Sequence, residues 1–289
     1  MRNKIWLPAL VLAFAMVAAA CGDSDTTETT VAAGGGTTAT TEAAGSGLPD
    51  LGGRTVTVGV ENAYLPFNYI PVGETEGTGW DYEAWAAICD LLNCVAEMTA
   101  AGWPAVIEEV AQGQLDTAAD GISITDERKE IVDYSNPYMV VEQKFIVQLD
   151  DDRYATAQAL IDDPAARVGT QVGTTNLELA IELLGGDDRI DAFDQFGLAI
   201  QALIAGDVDA VIIDDAAGLG YVGENSDSIK TIEDPLQSDP LGFIFPKGSD
   251  LVDPVNQALE VMKADGTMEA LGIKYFTDAF TITYDDIEG

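Results

Sequence analysis

Arg54–Val60 alternates polar and apolar positions, with Val56, Val58 and Val60 on one side. That period of two predicts a strand with one buried face. After a loop at Glu61–Phe67, Gly79-Trp80-Asp81-Tyr82 leads into a predicted helix through Leu92. Its Ala84, Trp85, Ile88, Leu91 and Leu92 recur at helical spacing. Val95–Thr99 reads as a strand, and Trp103-Pro104 opens a second helix, proline being tolerated in a first turn. Val106, Ile107 and Val110 form its inner face, and Gly113 ends it. Asp116–Asp120 is the next strand. An apolar run at Lys144–Leu149 precedes a second round of the same pattern. A helix at Ala155–Ile161, a strand at Arg167–Thr170 and a helix capped by Gly173-Thr174-Thr175-Asn176 come first. A strand at Ile190–Phe193, a helix at Leu198–Ala205 and a strand at Asp209–Ile213 complete it. Leu241–Phe245 is a further apolar run, and helices are expected at Pro254–Ala264 and Glu269–Tyr275. Two β-α-β-α-β units argue for an α/β fold of two lobes, each a sheet flanked by helices, with a cleft between them.

The N-terminus breaks this pattern. Arg2 and Lys4 precede a 16-residue apolar run, Ile5–Ala20, which ends Ala18-Ala19-Ala20-Cys21. The run is short for a membrane span and carries the flanks of a signal peptide. Residues 22–50, rich in Thr, Gly, Ala and Ser, show no apolar periodicity and read as a disordered tether.

Charge narrows the function classes. The 289 residues hold 13 Lys and Arg against 50 Asp and Glu, a net charge of −37, and no histidine. A chain this acidic is repelled by nucleic acid and by anionic membrane surfaces. Without histidine there is no imidazole metal site and no Ser-His-Asp triad; no cofactor is expected. Cys89 and Cys94, at a helix end, are either a local disulfide or two buried thiols.

Chemistry concentrates in Gly121–Arg128, a strand-to-helix corner. Thr125 can cap the helix, and Asp126 and Glu127 suit its positive end. Arg128 then sits about one turn in, where open α/β sheets bind ligands. A guanidinium there can hold a carboxylate bidentately or simply pair with Glu127 or Glu130 on the surface.

These motifs, in order, resemble a known family. Val58–Phe67, Gly79-Trp80-Asp81, Trp103, Leu115-Asp116, Gly121–Arg128 and Tyr134–Tyr138 carry the likeness in the first half. Gly173-Thr174-Thr175, Leu203–Asp214 and Lys263–Thr267 carry it in the second. Over about residues 54–277 the chain is similar to extracellular solute-binding proteins of polar-amino-acid ABC importers. The small residues before Cys21 also resemble a lipobox, implying cleavage after residue 20 and lipid on the Cys21 thiol.

The resemblance implies a two-lobed periplasmic-binding-protein (Venus flytrap) fold joined by a two-strand hinge at Lys144–Leu149 and Leu241–Phe245. Lobe 1 is then residues 51–142 plus 242–289, and lobe 2 residues 143–241. It implies an extracytoplasmic monomer, anchored through its lipid alone, delivering a free amino acid to a membrane permease. Arg128 matches the α-carboxylate clamp and Thr175 a second carboxylate donor; Asp214 matches the α-ammonium acceptor. Ser123 and Gly121 would contact main-chain groups, while Tyr64 and Trp103 would sandwich the ligand side chain. Glu61 and Asp120 would choose the ligand. If both face the cleft, three carboxylates meet one arginine, which favours arginine, lysine or ornithine over a neutral ligand such as glutamine. The alternative is a cyclohexadienyl dehydratase-like enzyme on the same fold, with Glu61 or Asp120 as general acid.

Overall fold

The computed structural model describes residues 47–277 and 280. The expected signal peptide, Cys21 and most of the tether lie outside the described residues. Leu48 and Leu51 pack on the folded domain, and Asp50 accepts hydrogen bonds from Gly52 N and Asn93 Nδ2. Leu48 and Asp50, within the expected tether, thus contact the folded domain. Among the described residues no helix is long and apolar enough to cross a membrane.

The first pass of the chain runs β1 (Arg54–Val60), β2 (Ala63–Tyr64), β3 (Asn68–Tyr69), α1 (Trp80–Leu92) and β4 (Cys94–Ala100). It continues through α2 (Ala105–Ala111), β5 (Thr117–Ala118), α3 (Asp126–Ile131) and β6 (Val132–Tyr134). Val56, Val58 and Val60 are fully buried, as alternation requires. The predicted strand at Asp116–Asp120 shortens to two residues, because Asp120 and Gly121 turn out of the sheet into the cleft.

The second pass forms β7 (Met139–Gln148), α4 (Ala157–Asp162), β8 (Val168–Gln171), α5 (Thr175–Leu184) and β9 (Ile190–Phe193). It ends with α6 (Phe196–Ala205), β10 (Ala210–Asp214), α7 (Asp215–Glu224), β11 (Ile229–Thr231) and β12 (Gln237–Leu241). The chain then returns through β13 (Ile244–Pro246), α8 (Val252–Asp265) and α9 (Thr267–Tyr275).

Two sheets result. One has the order β4-β1-β5-β13-β6; the other has the order β11-β7-β10-β8-β9, with β12 also on β7. The return strand β13 inserts beside β5, so the tail belongs to the first lobe, and α8 and α9 pack on α1. An aromatic stack seals that junction. The Trp80 and Tyr138 rings lie 4.6 Å apart, as do Tyr138 and Phe243, and Trp85 meets Phe243 at 5.3 Å. Trp80 is fully buried there, a core residue as its apolar setting suggests. Cys89 and Cys94 form a disulfide that ties the end of α1 to the start of β4.

One hinge segment is misplaced by the sequence reading. Lys144–Leu149 lies mostly within β7, with Lys144 opposite Ile213 and Val147 opposite Ala210, inside the second sheet. The first passage between lobes comes earlier, at Ser135–Tyr138; the second, at Gly242–Phe243, falls within the expected run Leu241–Phe245. The two passages bind each other: Ser135 N donates to Phe243 O at 2.9 Å, and Phe243 N to Ser135 Oγ at 3.0 Å. Apolar residues mark a buried strand and a buried crossover alike, so composition alone could not separate them.

Candidate functional site

The C-terminal ends of β1, β5, β8 and β10 converge on one cleft, as expected for open α/β sheets. It holds about 320 Å³ of empty space, counting the part that opens to solvent. Glu61, Tyr64, Trp103, Asp120, Gly121, Ser123 and Arg128 line it from the first lobe, and Thr175 and Asp214 from the second. All nine expected residues therefore meet in one place.

Local chemistry explains each placement. Thr125 Oγ1 accepts from Arg128 N at 3.1 Å, so the cap fixes where α3 begins and brings Arg128 to the rim. The Arg128 guanidinium donates to Ser123 O at 3.1 Å and, across the cleft, to Gly173 O at 3.2 Å. It also lies over the Trp103 ring, 5.2 Å from the centroid. Thr174 caps α5 by accepting from Leu177 N at 3.1 Å. The start of α5 then presents Thr175 and Asn176 with the helix's positive end to the cavity.

Asp214 ends β10 and sits at the N-cap position of α7, yet its side chain makes no capping bond. Instead Oδ2 accepts from Tyr64 Oη and Oδ1 from Asn176 Nδ2, each at 3.0 Å. Burial pushes Asp214 up to about 6, against these two bonds, which lower it. Asp120 does not turn outward. It is 4 % exposed, its Oδ1 accepts from Asn68 Nδ2 at 2.8 Å, and its Oδ2 has no partner. Glu61 accepts from Gln171 Nε2 of the facing lobe at 2.8 Å. Burial and the neighbouring Asp120 carboxyl raise Glu61, while burial raises Asp120.

The two lobes are shut on one another. Ser123 Oγ and Thr175 Oγ1 are 3.2 Å apart, and Trp103 Nε1 donates to Val172 O at 3.1 Å. Tyr64 and Trp103 both line the cavity. Tyr64 stacks between Phe67, at 5.3 Å, and Phe196 of the second lobe, at 5.7 Å.

Sequence reasoning missed Gln171, Thr174, Asn176 and Phe196, which also line the cavity. The capping motif at 173–176 marked the right helix start, so Thr174 and Asn176 were within reach. Gln171 and Phe196 carry no local signal; a buried strand end and a helix start look alike in any α/β chain.

This arrangement can hold a small zwitterion. A guanidinium and a helix N-terminus offer positive charge, buried carboxylates offer negative charge, and rings fill the space between them. The sequence matches the family described as bacterial extracellular solute-binding proteins, family 3, over residues 56–278. The chain belongs to that family. The L-cystine-binding protein TcyJ of Escherichia coli K12 is 27% identical over 223 residues, covering 77% of this chain and 82% of the relative. Among solved structures, the arginine-, lysine-, histidine-binding protein ArtJ of Geobacillus stearothermophilus is 32% identical. It superposes with a TM-score of 0.72, covering 77% of this solute-binding protein and 95% of ArtJ. The ancestral amino acid-binding protein AncCDT-1, described as a precursor of cyclohexadienyl dehydratase, is 31% identical with a TM-score of 0.71, covering 77% and 96%.

Proposed function

We propose that this solute-binding protein closes on a free α-amino acid and delivers it to the permease of an ABC importer. One observation carries the reading. Arg128 of the first lobe faces the same cavity as Asp214 and the start of α5, both of the second. A carboxylate and an ammonium on one carbon need opposite partners, because an unpaired buried charge costs several kcal/mol. Contacts made only when the lobes meet favour the closed state. Arg128, Thr175, Ser123 and Gly121 are assigned to the ligand's carboxylate and main-chain groups, Asp214 to its ammonium, and Tyr64 and Trp103 to its side chain. Glu61 and Asp120 add negative charge where that side chain would end, which favours a cationic ligand.

A thermal-shift screen over the common amino acids tests the class, since a ligand stabilises by RT ln(1 + [L]/Kd). Replacing Arg128 by Ala should weaken the best ligand by at least ~2 kcal/mol, or roughly thirtyfold. An unchanged affinity rejects the clamp.

The residue set fits binding rather than catalysis. The competing dehydratase reading draws on the likeness to AncCDT-1 and on Glu61, which burial keeps protonated above the usual carboxylate range. Against it, Glu61 is already engaged by Gln171, and the Arg128–Asp214 arrangement suits an intact amino acid. Incubation with prephenate and arogenate decides: product formation would favour the enzyme. Anchoring through a lipid on Cys21 completes the proposal, and a Cys21→Ser variant should leave the membrane fraction.

A further inference from the structure

Behind the cavity wall lies a set of groups that the clamp does not use. Asn68, fully buried on β3, donates from Nδ2 to Asp81 Oδ2 at 2.9 Å and to Asp120 Oδ1 at 2.8 Å. Asp81, in the first turn of α1, is also fully buried, and its Oδ1 has no hydrogen-bond partner. The Oδ2 of Asp120 is likewise unpartnered. Among the described residues, none of Glu61, Asp81, Asp120 and Asp214 forms an ion pair.

The titratable groups that face Asp120 are Glu61 from the end of β1, Tyr64 from β2, Asp81 from α1 and Tyr138 from the passage between lobes. None of them is cationic. Among the described residues Arg128 alone brings a guanidinium to the cavity, and it is turned to the carbonyls of Ser123 and Gly173. With Asp120 buried, Glu61 half-buried and within its electrostatic reach, and neutral donors alone around them, the two carboxyls resist ionising together.

We propose that the Glu61–Asp120 pair makes binding proton-linked, so that the complex closed on a neutral side chain holds one more proton than the complex closed on a cationic one. A ligand cation placed at Asp120 Oδ2 supplies the missing counter-charge, and the carboxylate stays ionised. A neutral side chain supplies none. Closing the lobes then removes water from both carboxyls, and one proton from solvent must neutralise the pair. With P⁻ for the pair carrying one ionised carboxylate, the two events are P⁻ + LH⁺ → P⁻·LH⁺ and P⁻ + L + H⁺ → PH·L. The upward shifts of Glu61 and Asp120 by burial have the sign this requires. Selectivity is therefore set by pH, with neutral ligands gaining on cationic ones as pH falls. The inference rests on the amino-acid reading above.

L-Arginine and its neutral isostere L-citrulline separate charge from shape. Calorimetric titration of the whole protein at about pH 6, 7 and 8 should show Kd(citrulline)/Kd(arginine) rising with pH, by at most about tenfold per pH unit, the limit for one proton. In the Glu61→Gln, Asp120→Asn double variant the ratio should not change with pH. A flat ratio in the unmodified protein, with both ligands bound, overturns the proton linkage and leaves the amino-acid reading intact. A slope that survives in the double variant overturns the assignment to this pair. Failure of both probes and of all the common amino acids to bind overturns both readings together.

Discussion

Gly173 offers a direct test of lobe closure. It lies before α5, and an added Cβ would sit 2.6 Å from Pro104 Cγ and 2.8 Å from Pro104 Cβ in the facing lobe. Pro104 follows Trp103, whose ring N–H is held to Val172 O across the cleft. Gly173 also has φ +67°, so Gly173→Ala carries two separable costs. The left-handed backbone costs about 1–2 kcal/mol, open or closed. The contact with Pro104 exists only when the lobes meet, and such overpacking costs about 1–3 kcal/mol. The melting temperature of the free protein should fall by ~2–8 °C, from 2–4 °C per kcal/mol in a domain of this size. Ligand affinity should fall about 5- to 150-fold beyond that. Gly185 is the control: its φ is +73° and an added Cβ meets nothing within 4 Å. Gly185→Ala should therefore lower the melting temperature and leave Kd unchanged. Calorimetry and thermal melts on both variants decide the matter. Equal Kd values for Gly173→Ala and Gly185→Ala would refute closure through this contact.

Further expectations concern the buried acids and the disulfide. Burial raises Asp81 well above its ordinary value, against the Asn68 bond that lowers it. A carboxyl raised on folding carries no penalty below its unfolded value, and the cost builds as pH climbs from there to its folded value. Asp81→Asn should thus change stability little at about pH 3, yet stabilise by ~1–3 kcal/mol at about pH 9, the cost of an ill-paired buried charge; a melt series that shows no pH dependence rejects this. Asp214 follows the same sign over a defined window. Its penalty is full above about 6 and fades as pH falls toward 3.8, so Asp214→Asn should raise the melting temperature of the closed form more at pH 8 than at pH 4. Reduction of Cys89–Cys94, five positions apart, should cost ~2 kcal/mol by loop-closure entropy. Kd should move less than about twofold, because Cys94 begins β4 at the end of the sheet opposite the cavity.

Much of the site was legible because its residues sit at element ends, and element ends are written locally. The Thr125 cap places Arg128, and the cap at Thr174 places Thr175. A strand that stops at Asp214 puts a carboxylate at the cleft. What local pattern could not supply was partnership. Nothing near Asn68 shows that its amide joins Asp81 to Asp120, since the two acids belong to different elements and meet only by packing. Lys144–Leu149 was assigned to the hinge for the same reason, because its neighbours Ala210–Ile213 lie far along the chain.

The amino-acid sequence by itself determined two α/β units, the element order, and the motifs that carry the family likeness, all short-range properties of periodicity, capping and spacing. Tertiary structure alone decided that β13 returns the tail to the first lobe, that the crossings lie at Ser135–Tyr138 and Gly242–Phe243, and that Tyr64 reaches Asp214. It also decided that Asp120 faces inward with one oxygen unpaired. The reason is physical. Strand pairing and lobe closure join residues from tens of positions to 150 apart, and the energy that selects them resides in contacts no local window contains.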